Sequence, residues 1–236
     1  AWLDFSEGER PVFMTAYFND ANYWGHTLGP EAVGMDTVIP GLDLDLGRLI
    51  AGLTDRDLLD KVNIIVTADH GMVEIDRDRM IFLDDYINLS DVTMVRWSPV
   101  AGIIPKEGLE DSIYNSLVNV HPQLLVYKKG ETPEHLHYRN HRRITTIIGI
   151  ADEGWSISTR DYYNSNPESN TGGTHGYDPA FLSMHGIFLA YGPAFKDGLI
   201  VPSFQNIHIY ELIANVLGIE PAVTDGSLDS VSAMLE

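Results

Sequence analysis

The chain has 236 residues, of which 44% are hydrophobic, and a formal charge of −19 from 34 acidic and 15 basic side chains. That length suits one α/β domain, or at most two. The charge opposes nonspecific binding to nucleic-acid polymers and to anionic membranes. No apolar stretch approaches the ~20 residues of a transmembrane helix. The absence of cysteine excludes disulfides and thiolate ligands, so any metal must be held by His, Asp, Glu, Asn or hydroxyl groups.

In chain order, the apolar run 12–18 reads as a strand leading into a polar loop that ends at Gly25-His26. Residues 40–53 read as an amphipathic helix, because Leu42, Leu46, Leu49, Ile50 and Leu53 recur at the helical period. Pro40 is placed in its first turn, where a missing N–H does no harm. The β-branched run 62–67 predicts a buried strand, which completes a strand–helix–strand unit. From 73 to 160 the pattern is mixed, with strands expected over 100–104, 124–127 and 145–151 and a helix over 110–118. Pro105, Pro122 and Pro133 punctuate this stretch, which reads as an inserted subdomain. A polar loop over 164–173, a strand over 186–190 and a helix over 207–217 capped by Gly218 restore the α/β rhythm.

The most informative stretch is the end of the 62–67 strand, where Asp69-His70-Gly71 follows the apolar run. Open α/β sheets place their sites at the carboxyl ends of strands, and Asp oxygen with His nitrogen suits Zn²⁺. A solvated strand-to-loop junction would look the same. Two further His residues beside glycine, His26 and His175, lie near expected strand ends and far apart in sequence. A metal site assembled from scattered loops requires that pattern.

The series Asn22-x3-His26-x2-Gly29-Pro30, Thr67-Ala68-Asp69-His70-Gly71-Met72 and His175-Gly176-Tyr177-Asp178 resembles the nucleotide pyrophosphatase/phosphodiesterase family of the alkaline phosphatase superfamily. The likeness extends through Ala151-Asp152-Glu153-Gly154-Trp155 and Gly192-Pro193-Ala194-Phe195 to Asp225-Gly226-Ser227-Leu228. It implies an alkaline-phosphatase-like α/β fold, with a mostly parallel sheet flanked by helices and an inserted subdomain near 73–160. The whole of 1–236 would then be one partial phosphodiesterase catalytic domain. The implied activity is metal-dependent hydrolysis of phosphodiester or pyrophosphate bonds in nucleotides or related small substrates.

The resemblance also implies two divalent metals, with Zn²⁺ the best match. His26 and His175 fall at the first ion, Asp69 and His70 at the second. Asn22 stands where the family carries aspartate, an amide oxygen without the charge. The family's Thr or Ser nucleophile lies upstream of every motif found here, so no catalytic nucleophile is assigned within the chain. Trp155 and Tyr177 are candidate substrate contacts, by stacking on a base or covering a choline head group, although ordinary packing is the better default for either. His135, His137 and His141 read as structural or pocket-wall residues, and Asp178 as a partner of His175 or a turn cap. A choline-phospholipid or glycerophosphodiester substrate, or a non-catalytic binding protein with a weakened first metal site, are the competing readings. An extracellular, periplasmic or outward-facing tethered location is implied by the resemblance alone.

Overall fold

The computed structural model describes residues 4–236. In chain order its first elements are α1 (Asp20–Leu28), α2 (Met35–Thr54), β1 (Ile64–Thr67), β2 (Val73–Glu74), β3 (Met80–Phe82), β4 (Val92–Arg96) and β5 (Val100–Pro105). They are followed by α3 (Glu110–Leu117), β6 (Leu124–Lys128), β7 (Ile147–Ala151), β8 (Ser156–Ser158), α4 (Arg160–Ser165), β9 (Gly173–Thr174), β10 (Phe188–Tyr191) and α5 (Ile209–Leu217). The chain divides into two units. One holds the residues up to Phe18 with Pro40–Asp69 and Gly186–Glu236, and the other holds Asn19–Ile39 and His70–His185.

In the first unit β1 pairs antiparallel with β10, Ile64 opposite Tyr191 and Thr67 opposite Phe188. Alternation along β10 turns Phe188 and Ala190 inward and leaves Leu189 and Tyr191 exposed. The inward pair packs with Ile65 on a core of Phe195, Leu212, Val231 and Met234. Helix α5 supplies Leu212 and, one turn later on the same face, Val216. It stops at Gly218, whose left-handed backbone (φ 66°) lets its N–H reach the Ala214 and Asn215 carbonyls.

The second unit is built on a four-stranded antiparallel sheet in the order β4-β5-β7-β6. Strand β7 is buried along its whole length. Ile147 and Ala151 face the main core with Ile81, Ile103 and Leu117, while Ile148 and Ile150 face a second cluster with Val100, Tyr127 and Tyr138. A strand covered on both faces must be apolar at every position, which is how 147–151 reads in the sequence.

The expected strands over 62–67, 100–104, 124–127, 145–151 and 186–190 all form, with ends moved by one or two residues, as does helix α3. Three expectations are corrected. Residues 12–18 form no strand and lie exposed, Val12 at 92% and Tyr17 at 77%. A strand needs a ladder partner for its backbone groups, and no described strand pairs with this run. Helix α2 begins at Met35, so Pro40 lies inside it instead of in the first turn. Tight turns from Gly29 onward, including Met35 N–H to Ala32 O and Thr37 N–H to Gly34 O, feed the chain into helix early. Pro40 then leaves the Asp36 carbonyl without its helical donor. Finally, among the described residues the strand pairings are antiparallel except β3 with β8. The short β4–β5 connection, for one, permits only antiparallel pairing.

Candidate metal centre

Asn22 and His26 were expected on a loop, yet they sit on α1. Their spacing of four places them one turn apart on one helical face. The turn carrying His26 lies against β9, where backbone meets backbone. Gly172 has φ 79°, and a Cβ there would run into the His26 carbonyl. A Cβ at Gly173 would come within 2.6 Å of the Gly25 carbonyl. Only glycine permits this approach, and it brings His26 beside His175, which follows β9 immediately.

The three predicted histidines cluster within the second unit. The ring centres of His26 and His175 are 5.0 Å apart, tilted by 51°. Those of His70 and His175 are 3.6 Å apart and nearly parallel, at 21°. His26 Nδ1 lies 2.8 Å from the Gly173 carbonyl oxygen, and His70 Nδ1 lies 2.9 Å from that of Gly71. A carbonyl only accepts, so Nδ1 is the donor in both contacts. Ligating histidines are oriented in this way by a donor bond from the second nitrogen.

Whether these residues fit metal ions can be tested on the ring spacings. An imidazole with Nε2 ~2.1 Å from zinc has its centre about 3.2 Å from the ion, so two rings at a tetrahedral angle stand about 5.2 Å apart. The His26–His175 spacing fits a shared ion. At 3.6 Å the angle would close to about 70°, too acute for a tetrahedral site. The His70–His175 spacing thus does not suit a single tetrahedral ion. Among the described residues no three or more His, Asp or Glu side chains are grouped so as to hold a single ion.

Asp69 closes a segment of the first unit, is exposed, and its backbone carbonyl accepts a bond from Asn206 Nδ2 at 3.1 Å. Asn22 is half-buried on α1. Trp155 is half-buried, with its ring edge-on to His121 at 5.1 Å. Tyr177 is a core residue, 5% exposed, and its hydroxyl donates to the Trp155 carbonyl at 2.9 Å. Burial, above all, pushes that hydroxyl well above the ordinary phenol range. Asp178 caps its own turn through Ala180 N–H and pairs with His135 Nε2 at 2.9 Å. His141 and His208 accept backbone N–H bonds from Arg143 and Ser227, so they serve the fold. Sequence reasoning did not find the orienting carbonyls of Gly71 and Gly173 or the Asn206 contact. The glycines beside each histidine were the available signal for the first two.

The family model described as type I phosphodiesterase / nucleotide pyrophosphatase matches residues 1–178. Among curated proteins, ectonucleotide pyrophosphatase/phosphodiesterase family member 5 of Homo sapiens is 40% identical over 234 residues, covering 99% of this chain and 48% of that protein. The human bis(5'-adenosyl)-triphosphatase is 36% identical over 236 residues, covering 99% of this chain and 50% of its own length. Among solved structures, human family member 5 superposes with a TM-score of 0.86 at 40% identity, over 92% of this chain and 57% of that one. An inactive variant of the murine counterpart, in complex with AMP, superposes with a TM-score of 0.85 at 39% identity over 91% and 56%. The fold is accordingly alkaline-phosphatase-like, and the chain spans about half the length of the curated relatives it matches.

Proposed function

The chain belongs to the type I phosphodiesterase / nucleotide pyrophosphatase family, and from that premise we propose that it carries part of the centre of a metal-dependent hydrolase of nucleotide phosphodiester or pyrophosphate bonds. The observation that supports this reading is the His26–His175 pair at a spacing suited to one tetrahedral ion, with His70 set apart from it. His26 and His175 would hold one divalent cation, zinc by donor chemistry, and the adjacent Asp69 and His70 the other. Such a pair of ions supplies a clamp on the phosphoryl oxygens and activates the attacking and leaving oxygens. The part of this chain's own residues is positioning. The carbonyls of Gly173 and Gly71 orient the rings of His26 and His70, and Asn206 holds the backbone at Asp69. A hydroxyl nucleophile is assigned upstream of these motifs, from the family pattern.

A small nucleotide substrate is favoured because one relative is a bis(5'-adenosyl)-triphosphatase and another was captured with AMP. Trp155 is the candidate base contact; Tyr177 serves the core. The charge of −19 favours a small substrate gripped by metal over a polyanion. Among the described residues no helix is long and apolar enough to cross a membrane. The relatives' description as ecto-enzymes supports an extracellular, periplasmic or outward-facing location. A second reading, a non-catalytic nucleotide-binding protein, draws on Asn22, which brings no negative charge to the first ion. Elemental analysis of the purified chain, alongside cleavage of a nitrophenyl nucleotide ester, tests the proposal. Bound zinc is expected. Turnover would place the nucleophile within this chain, and absence of zinc would remove the metal centre.

A further inference from the structure

Where His175 stands depends on the residues before it, and 166–172 form only turns and bends between α4 and β9. Arg77 ties this segment down. Its Nη1 donates to the Asn166 and Ser169 carbonyls at 2.9 and 3.0 Å, and its Nη2 to the Tyr163 carbonyl at 3.1 Å. Tyr163 lies in the last turn of α4, where carbonyls have no donor within the helix. The guanidinium also sits over the Tyr163 ring, its central carbon 3.9 Å from the ring centroid. Tyr163 in turn meets Phe82 of β3 edge-on at 5.3 Å, and Arg77 itself is half-buried.

The same stretch of chain holds the far end of the segment. The Ile75 N–H donates to the Gly172 carbonyl at 2.9 Å. Beyond it β2 pairs with β9, Val73 opposite Thr174 and Glu74 opposite Gly173. Two residue pairs make a ladder too short to fix a segment alone. Inside the segment the Ser169 N–H and hydroxyl both donate to the Asn166 carbonyl, at 3.0 and 2.8 Å. The hold of Arg77 on 163, 166 and 169 therefore passes to Gly172, then to the Gly173 carbonyl beside His26 and to His175 itself.

We propose that Arg77 is a positioning residue for the His26–His175 pair, fastening 163–172 so that His175 and the Gly173 carbonyl stay against α1. Its effect on a metal ion rests on the reading of that pair as ligands given above. Lysine would not replace it. An ammonium is a compact point charge on a flexible stem, whereas the planar guanidinium serves three carbonyls while its face covers the ring.

The test uses the full chain with Arg77→Ala and Arg77→Lys. Zinc affinity is read by competition with a chromogenic chelator, and the His26 Nδ1 proton by NMR of the metal-free protein. Ile113→Val, on α3 where that helix packs against β5 and β6, controls for a general loss of stability. Both Arg77 variants should bind zinc about 10–100-fold more weakly, as loss of an orienting group does elsewhere, and lose the protected Nδ1 proton signal. Ile113→Val should change neither. Wild-type zinc affinity in either Arg77 variant, or equal weakening in Ile113→Val, would overturn the proposal. If the unaltered chain binds no zinc, the metal reading fails on its own, and an unchanged His26 Nδ1 signal in the Arg77 variants then overturns the positioning role.

Discussion

Replacing Gly172 by alanine tests how the histidine pair is built. The residue has φ 79°, and an added Cβ would collide with the His26 carbonyl and lie 3.1 Å from that of Thr27. The left-handed backbone alone costs an L-residue with a side chain about 1–2 kcal/mol, and overpacking adds about 1–3 kcal/mol. The Gly172 carbonyl also accepts the Ile75 N–H at 2.9 Å, so the backbone cannot move away freely. A stability loss of about 2–5 kcal/mol is expected. Displacement of the neighbouring Gly173 carbonyl from His26 Nδ1 should reduce zinc affinity by about 10–100-fold, as loss of an orienting partner does elsewhere. Urea unfolding reads the first effect and competition with a chromogenic chelator the second. Gly47→Ala is the matched control: its Cβ meets nothing within 4 Å, and a helical Gly→Ala change should add about 0.5–1 kcal/mol. A Gly172→Ala protein with wild-type unfolding midpoint and zinc affinity would refute the close-approach argument.

Asn22→Asp should raise zinc affinity by about tenfold by adding a charged ligand; an unchanged chelator titration would mean that Asn22 does not reach the ion. Tyr177→Phe should lower stability by about 1 kcal/mol, because the Trp155 carbonyl loses its donor, and denaturant melts measure this directly. The Arg160 guanidinium, by hydrogen bonding first and charge second, holds the Asp85 carboxyl below its ordinary value of 3.8. A depressed folded-state value means that the pair contributes stability above about pH 3.8 and loses it as pH falls further. Arg160→Ala should therefore show a shallower acid limb, and an identical profile in the two proteins would exclude the pair from acid sensitivity.

Legibility followed locality. Strand β7 could be read because both of its faces are buried, so every residue from Ile147 to Ala151 reports the environment. Strands β2 and β9, two residues each, are too short for any periodicity to show. The run 12–18 has strand composition, but pairing is a property of distant residues, and composition does not supply a partner. Asn19-Asp20-Ala21-Asn22 reads as a turn, although the Asn22–His26 spacing already matched one face of a helix. The histidines were visible beside their glycines. That the glycines serve backbone contact, and that their carbonyls orient the rings, required coordinates. For Tyr177, the surrounding His-Gly-Tyr-Asp pattern contains no mark of burial.

In the proposed centre His26 and His175 share one ion while His70 serves another. Zinc stoichiometry of His26→Ala, His70→Ala, His175→Ala and the His26→Ala/His175→Ala double variant tests this most directly. The prediction is that His26→Ala and His175→Ala each lose the same equivalent, the double variant loses no more than either, and His70→Ala loses a different one. Additive losses at His26 and His175, or unchanged stoichiometry in any single variant, would contradict it.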